Sequence, residues 1–123
     1  MHELSIAQSI LSIATNAIPQ REAVIVTGIS LEIGELSGIE IRSLEFAFSI
    51  IKEGTLLDKA ALRITRVNGE AECQDCRTIF AIHSYGNCCP TCNGFQLKIL
   101  KGREMKVLHL VVEELSHCQL LSI

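Results

Sequence analysis

The stretch from Cys73 to Cys92 constrains the fold more than any other part of the chain. It contains two Cys-x-x-Cys pairs, Cys73/Cys76 and Cys89/Cys92, separated by twelve residues. Two thiolates at this spacing can bind the same tetrahedrally coordinated metal ion, and two such pairs complete the four-sulfur shell of structural zinc. The sequence therefore predicts a four-cysteine zinc ribbon, with zinc preferred to iron.

The residues between the two pairs fit a single β-hairpin, although the separation is slightly shorter than usual for such a site. Thr78 to Tyr85 supply β-branched and apolar residues, and Gly86-Asn87 supplies a turn. Cys88 is adjacent to Cys89 but lacks the two-residue spacing to the next cysteine, so we interpret it as a spare thiol. His83 is interpreted as a solvated strand residue, because four thiolates already complete the shell.

Other uses of the cysteines stay open at this point: disulfides, a dithiol redox pair, or unrelated buried thiols. The chain begins Met-His-Glu-Leu without a basic segment, and no apolar run approaches the length of a membrane span. We therefore expect a cytoplasmic protein, in which thiols stay reduced. In that compartment six cysteines favour metal binding over disulfides.

Composition narrows the classes of partner. The 123 residues suffice for one compact domain, or for a small domain with a metal-stapled module. Apolar residues make up 48% of the chain and aromatic residues only 4%, so the core is expected to be aliphatic. The net charge is −3, and no segment is basic, whereas phosphate binding needs clustered lysine and arginine. Nucleic acids and membranes are therefore not expected partners.

The first half of the chain alternates helix and strand patterns. Residues 3–18 place apolar side chains at helical spacing, and a proline marks the end of that helix. Residues 24–33 alternate as in a strand. Ser37 and Glu40 resemble the N-cap and N3 positions of a capping box, which predicts a second helix that ends at Gly54.

Two further strands bracket the cysteine module. Ala61–Val67 leads into it through Asn68-Gly69, and Met105–Val112 follows it after Lys101-Gly102. Because strands flank the module on both sides, we interpret it as an insertion within one sheet. Residues 115–123 are predicted to form a packed extension or a disordered tail, in which Cys118 would be a small apolar filler.

The predicted fold class is α+β. Residues 1–69 plus 103–123 are predicted to form a small domain of two helices and a three-stranded sheet, which would bind nickel for the reason given next. Residues 70–102 are predicted to form the inserted zinc-ribbon module.

Met1-His2-Glu3 carries the remaining distinctive chemistry. The α-amine of Met1, the amide nitrogen of His2 and its imidazole close a five-membered and then a six-membered chelate ring. These rings favour a planar donor set, which Ni(II) and Cu(II) prefer and Zn(II) does not. The amide nitrogen of Glu3 or a side chain from elsewhere would fill the fourth position. The alternative for His2 is a solvated terminus, and Glu3 and Glu40 each have an ordinary role at a helix start.

Several motifs together resemble the HypA/HybF hydrogenase-maturation nickel metallochaperones. They are Met-His-Glu-Leu-Ser at the start, Leu-Glu-Ile-Gly-Glu-Leu-Ser-Gly over residues 31–38, Phe-Ala-Phe over 46–48, and the two cysteine pairs. The likeness runs in order from residue 1 to about Val112. It implies His2 as the nickel ligand, the Met1 amine and Glu3 amide as co-ligands, and the four paired cysteines as zinc ligands. Glu40 matches a position where the family often has an acidic residue near nickel.

The resemblance also implies partners and a mode of action. Nickel would be transient cargo, delivered to a [NiFe]-hydrogenase large subunit with the help of an accessory GTPase, and some members also serve urease. Two rival classes are a zinc-ribbon adaptor or nucleic-acid-binding module without nickel delivery, and a dithiol oxidoreductase. No catalytic constellation or Gly-rich phosphate loop is visible in the sequence, so we expect no enzymatic activity. Either a monomer or a homodimer that exchanges the strand Met105–Val112 is compatible with the sequence.

Overall fold

The computed structural model describes residues 2–18, 24–113 and 118–122, without the side chains of His2 and residues 118–122. The described residues form two helices, α1 (His2–Ala17) and α2 (Ile41–Ile51), and seven strands. The strands are β1 (Ile25–Gly34), β2 (Ala61–Val67), β3 (Glu70–Cys73), β4 (Ile79–Ala81), β5 (Leu97–Lys101), β6 (Met105–Glu113) and β7 (Cys118–Ser122). The predicted α+β class is confirmed.

The chain divides into two compact units. The helical unit comprises Met1–Leu31, Glu40–Ile64 and Lys106–Ile123. The cysteine unit comprises Glu32–Ile39 and Thr65–Met105. Which segments fold independently stays a prediction, including the domains drawn from the sequence at 1–69 with 103–123 and at 70–102.

Aliphatic side chains make up most of the core of the helical unit, as the composition predicted. Helices α1 and α2 contact each other, and their buried residues include Ile10 of α1 and Leu44 and Phe48 of α2. The sheet has the strand order β2-β1-β6-β7. It therefore has one strand more than the three predicted, because the segment left open as an extension or tail contributes β7. Within the described residues, no helix is long and apolar enough to cross a membrane.

Helix α2 begins later than the capping-box pattern predicted. Its N-cap is Glu40, whose Oε1 accepts a hydrogen bond from the Arg42 amide at 3.0 Å. Ser37 Oγ instead accepts from the Ile39 amide at 3.2 Å. Gly38 between them has φ +77°, a left-handed conformation that an α-helix does not contain. The assignment of Ser37 as N-cap and Glu40 as N3 was therefore wrong.

The cysteine unit contains a three-stranded sheet of order β4-β3-β5. Strand β3 pairs antiparallel with β4, with Ala71 opposite Phe80, and antiparallel with β5, with Ala71 opposite Ile99. The predicted hairpin over residues 78–85 was wrong, because only Ile79–Ala81 is a strand there and its partner is β3.

A small core under this sheet includes the segment that follows β1. Leu36, Ala71 and Ile82 are buried together, with Phe80, Leu97 and Ile99 packed against them. At the start of this segment the backbones of Gly34 and Gly102 lie very close together, because a Cβ placed on Gly34 would overlap the carbonyl oxygen of Gly102. The Leu36 amide donates to the same carbonyl at 2.6 Å. Glu32–Ile39 is thus part of the cysteine unit.

Candidate metal centre

The four predicted zinc ligands converge. The Sγ atoms of Cys73, Cys76, Cys89 and Cys92 all lie within 4.8 Å of one another. The Cys73–Cys92 sulfurs are 3.5 Å apart and the Cys76–Cys89 sulfurs 3.6 Å. Four sulfurs bound tetrahedrally to one zinc at about 2.3 Å would be about 3.8 Å apart. The donor set and its spacing therefore fit a structural Zn(II) ion.

Two similar backbone turns position the sulfurs. In the first, the Cys73 amide donates to the Thr78 carbonyl at 2.9 Å and the Arg77 amide to the Cys73 carbonyl at 2.9 Å. In the second, the Cys89 amide donates to the Gly94 carbonyl at 2.9 Å and the Asn93 amide to the Cys89 carbonyl at 2.8 Å. Arg77 and Asn93 occupy equivalent positions with φ 66° and 61°. Each Cys-x-x-Cys pair is therefore shaped by its own local turn.

The surroundings of Cys76 favour its thiolate form, whereas those of Cys92 favour its protonated thiol. Hydrogen bonds from the Thr78 hydroxyl, 3.2 Å from Cys76 Sγ, and from the Thr78 backbone lower the pKa of Cys76 to about 6. The Gly94 amide lowers the pKa of Cys92, but the Cys73 thiol and burial outweigh it and raise that pKa to about 12. Without a metal the cluster therefore does not release all four protons at neutral pH, whereas a divalent cation would stabilise the thiolates together.

The remaining cysteine of this region is outside the cluster. Cys88 is half-buried and is not among the four converging thiols, in agreement with its interpretation as spare. It lines a shallow cleft with Phe80, Asn87 and Pro90. The paired sulfurs are separated by far more than the roughly 2 Å of a disulfide bond. The arrangement thus fits metal binding better than the disulfide alternative.

Glu35 joins separate segments of the cysteine unit, a role that the sequence did not predict. Its Oε1 accepts a hydrogen bond from the Gly69 amide at 2.8 Å, and its Oε2 lies 2.7 Å from His83 Nδ1. The Gly69 amide and the His83 contact lower the pKa of this carboxyl, with a smaller contribution from Arg66. The sequence around Glu35 gave no sign of these contacts, because Gly69 and His83 are distant along the chain.

The structure describes only part of the predicted amino-terminal nickel site. Met1 and the side chain of His2 lie outside the described residues, and α1 begins at His2. Glu3 Oε2 lies 3.5 Å from the Glu40 amide, so the first turn of α1 meets the N-cap of α2. Glu3 also lines an open cleft of about 500 Å³ with Leu4, Phe46 and other residues of the two helices.

Comparison with known proteins identifies relatives over nearly the whole chain. The sequence profile described as "Hydrogenase/urease nickel incorporation, metallochaperone, hypA" matches residues 1–112. A hydrogenase maturation factor HypA from Parabacteroides distasonis is 42% identical over 114 residues, which cover 93% of this chain and 99% of that protein. The HypA of Geobacter sulfurreducens is 39% identical over 113 residues, covering 92% of this chain and 100% of that protein.

Solved structures agree with these sequence matches. The solution structure of the Ni metallochaperone HypA from Helicobacter pylori superposes with a TM-score of 0.61 at 27% identity, covering 88% of this chain and 94% of that one. A second solution structure, of HypA protein, gives a TM-score of 0.65 at 28% identity over 95% and 98% of the two chains. The chain therefore belongs to the HypA family of hydrogenase-maturation nickel metallochaperones.

Proposed function

We propose that this chain carries Ni(II) as cargo on its amino terminus and delivers it for maturation of a [NiFe]-hydrogenase. The ligands are the His2 imidazole, with the Met1 amine and the Glu3 backbone nitrogen. The observation that carries the proposal is the start of α1 at His2. The first amides of a helix have no hydrogen-bond partner within the helix, so the backbone nitrogens of His2 and Glu3 are not needed for the helix and can bind a metal.

The helix start also accounts for release of the cargo. The positive end of a helix dipole opposes a bound dication, while deprotonated amide nitrogens neutralise it. Protonation of those nitrogens and of the amine dismantles the site one donor at a time, so affinity falls as pH decreases. The Glu3 carboxylate adds negative charge beside the Glu40 amide. Glu40 itself accepts from the Arg42 amide and acts here as a helix cap rather than as a nickel ligand.

The cysteine cluster has a separate, structural role. Cys73, Cys76, Cys89 and Cys92 would hold Zn(II), which supplies a cross-link between the two turns. A second protein must provide any nucleotide chemistry, since this chain has no Gly-rich phosphate loop. The partners proposed are therefore the hydrogenase large subunit and an accessory GTPase, in the cytoplasm.

Nickel titration of untagged protein tests the site. We expect His2→Ala to lose the high-affinity site, whereas His83→Ala, at a histidine whose side chain is 70% exposed, retains it. Acetylation of the Met1 α-amine should also abolish binding, because it removes the amine as a donor from the chelate ring. Unchanged planar binding in the acetylated protein would move the nickel site elsewhere.

A pair of substitutions at Glu3 separates its backbone from its side chain. Glu3→Pro removes the amide proton at a position where the first turn of a helix tolerates proline. Glu3→Gln keeps the amide and removes the charge. We expect nickel affinity to fall much more in Glu3→Pro than in Glu3→Gln. Equal affinity in the two variants would contradict a role for the Glu3 nitrogen.

A further inference from the structure

Strand β7 lies outside the part of the chain that the family profile matches. The profile ends at residue 112, and β7 is Cys118–Ser122. The Parabacteroides relative aligns over 114 residues that make up 99% of its length. β7 is therefore an addition to the residues that the profile matches, and the structure shows where the addition lies.

The addition covers one edge of the four-stranded sheet. β7 pairs antiparallel with β6 over five residue pairs, from Glu113 opposite Cys118 to His109 opposite Ser122. The strand order β2-β1-β6-β7 makes β2 and β7 the two edges. Without β7, the edge would be β6, whose outward-facing amides and carbonyls offer a template for pairing with another chain.

The two edges are protected by different means. β2 carries Arg63 and Arg66, which are both exposed. Charged side chains on an edge strand discourage pairing with another chain. β6 has no lysine, arginine, aspartate or glutamate from Val107 to Val112. A run of apolar residues interrupted by a single histidine and free of formal charge is the type of strand that pairs with other chains when it is exposed.

We propose that β7 covers the edge of β6 and thereby prevents a second copy of this chain from pairing there. Two β6 strands can pair antiparallel about a two-fold axis, so one uncovered edge is complementary to the same edge of another copy. A second β6 strand paired in this way would run antiparallel to the first, as β7 does. β7 thus sets whether the β6 edge is available.

The test compares the full chain with a chain that ends at Glu113. We expect the full chain to be monomeric in size-exclusion chromatography with light scattering, and the shortened chain to have twice the monomer mass at the same micromolar concentration. Circular dichroism confirms that the shortened chain is folded. A folded monomer after shortening, or a dimer of equal population in both chains, would overturn the proposal.

A substitution pair in the full chain covers the case in which the shortened chain does not fold. The double variant Gln119→Pro with Leu120→Pro removes two successive amides, one of which faces β6 because amide directions alternate along a strand. Gln119→Thr with Leu120→Val keeps the strand and is the matched control. We expect the proline variant to dimerise and the control to stay monomeric. Monomeric behaviour of both would overturn the proposal.

A charge on the uncovered edge should reverse the association. His109 lies at the centre of β6 and is already half-buried and polar. In a two-fold pair centred there, His109→Lys would place two like charges opposite each other, which disfavours pairing. We expect this substitution to return the shortened chain to a monomer, whereas the neutral His109→Gln leaves it dimeric. A dimer that persists with lysine would place the contact on another surface and overturn the proposal.

Discussion

Replacement of Leu36 by alanine should loosen the cysteine unit without disturbing the helices. Leu36 is only 6% exposed and packs in the small core with Ala71 and Ile82. It belongs to the segment after β1, which is outside the residues that the sequence assigned to the zinc ribbon. The substitution therefore asks whether this segment contributes to holding the cysteines.

The size of the effect follows from burial. Leucine to alanine removes the outer part of the side chain from contact, and the void left behind adds to the loss, for a total of about 2–5 kcal/mol at fully buried sites. The core here is small and can partly collapse, so we expect about 2–4 kcal/mol. That corresponds to roughly a 30- to 700-fold larger population of the open unit.

Zinc release provides the assay. When local opening precedes metal loss, the rate of transfer to an excess of a coloured chelator rises with the population of the open unit. Leu36→Ala should accelerate release by about the same factor, while the helical circular dichroism signal stays unchanged at the same temperature. Leu100→Ala, at a β5 residue that is 39% exposed, is the matched control and should change the rate little. Equal rates for Leu36→Ala and wild type would refute the packing argument.

Three further predictions concern the cysteine unit. Glu35 has a lowered pKa, so its ionised form stabilises the cysteine unit at pH values above the ordinary carboxyl pKa of 4.5. This contribution disappears as pH falls through the lowered pKa. Glu35→Gln should therefore speed hydrogen exchange of the Gly69 amide at neutral pH, and the difference from wild type should vanish in acid. Gly34→Ala should destabilise the protein by about 1–3 kcal/mol in urea unfolding, because the Gly102 carbonyl occupies the space for a Cβ, whereas Gly86→Ala, with no atom within 4 Å, should not. Cys88→Ser should retain one zinc per chain by elemental analysis, and Cys89→Ser should lose it. Similar zinc content in the two variants would contradict the assignment of Cys88 as the spare thiol.

Periodicity in the sequence located the elements that have one buried face. The helical spacing over residues 3–18 matches α1, and alternation over 24–33 matches β1 to within a residue at each end. The Cys-x-x-Cys spacing also identified the four cysteines that converge. These patterns are local, so the residues that form each feature are near one another in the sequence.

Three features could not be predicted from the sequence, because their short patterns are compatible with more than one local structure. Ser37 and Glu40 have capping-box spacing, but the left-handed Gly38 delays the helix until Glu40 caps it. β4 is too short to form a hairpin within its own segment and pairs with β3, the strand that ends at Cys73. β7 has only five residues, too few for alternation to distinguish a strand from a tail.

The similar turns at Cys73 and Cys89 suggest an order in which the four-cysteine cluster assembles around its metal ion. Each turn is closed by backbone hydrogen bonds between residues close together in the sequence, so each half can take shape before distant parts of the chain have met. The meeting of the halves requires the pairing of β3 with β5, in which Cys73 lies opposite Leu97. We therefore expect assembly in two stages, with an ion first held by two sulfurs of one half and then enclosed by the other.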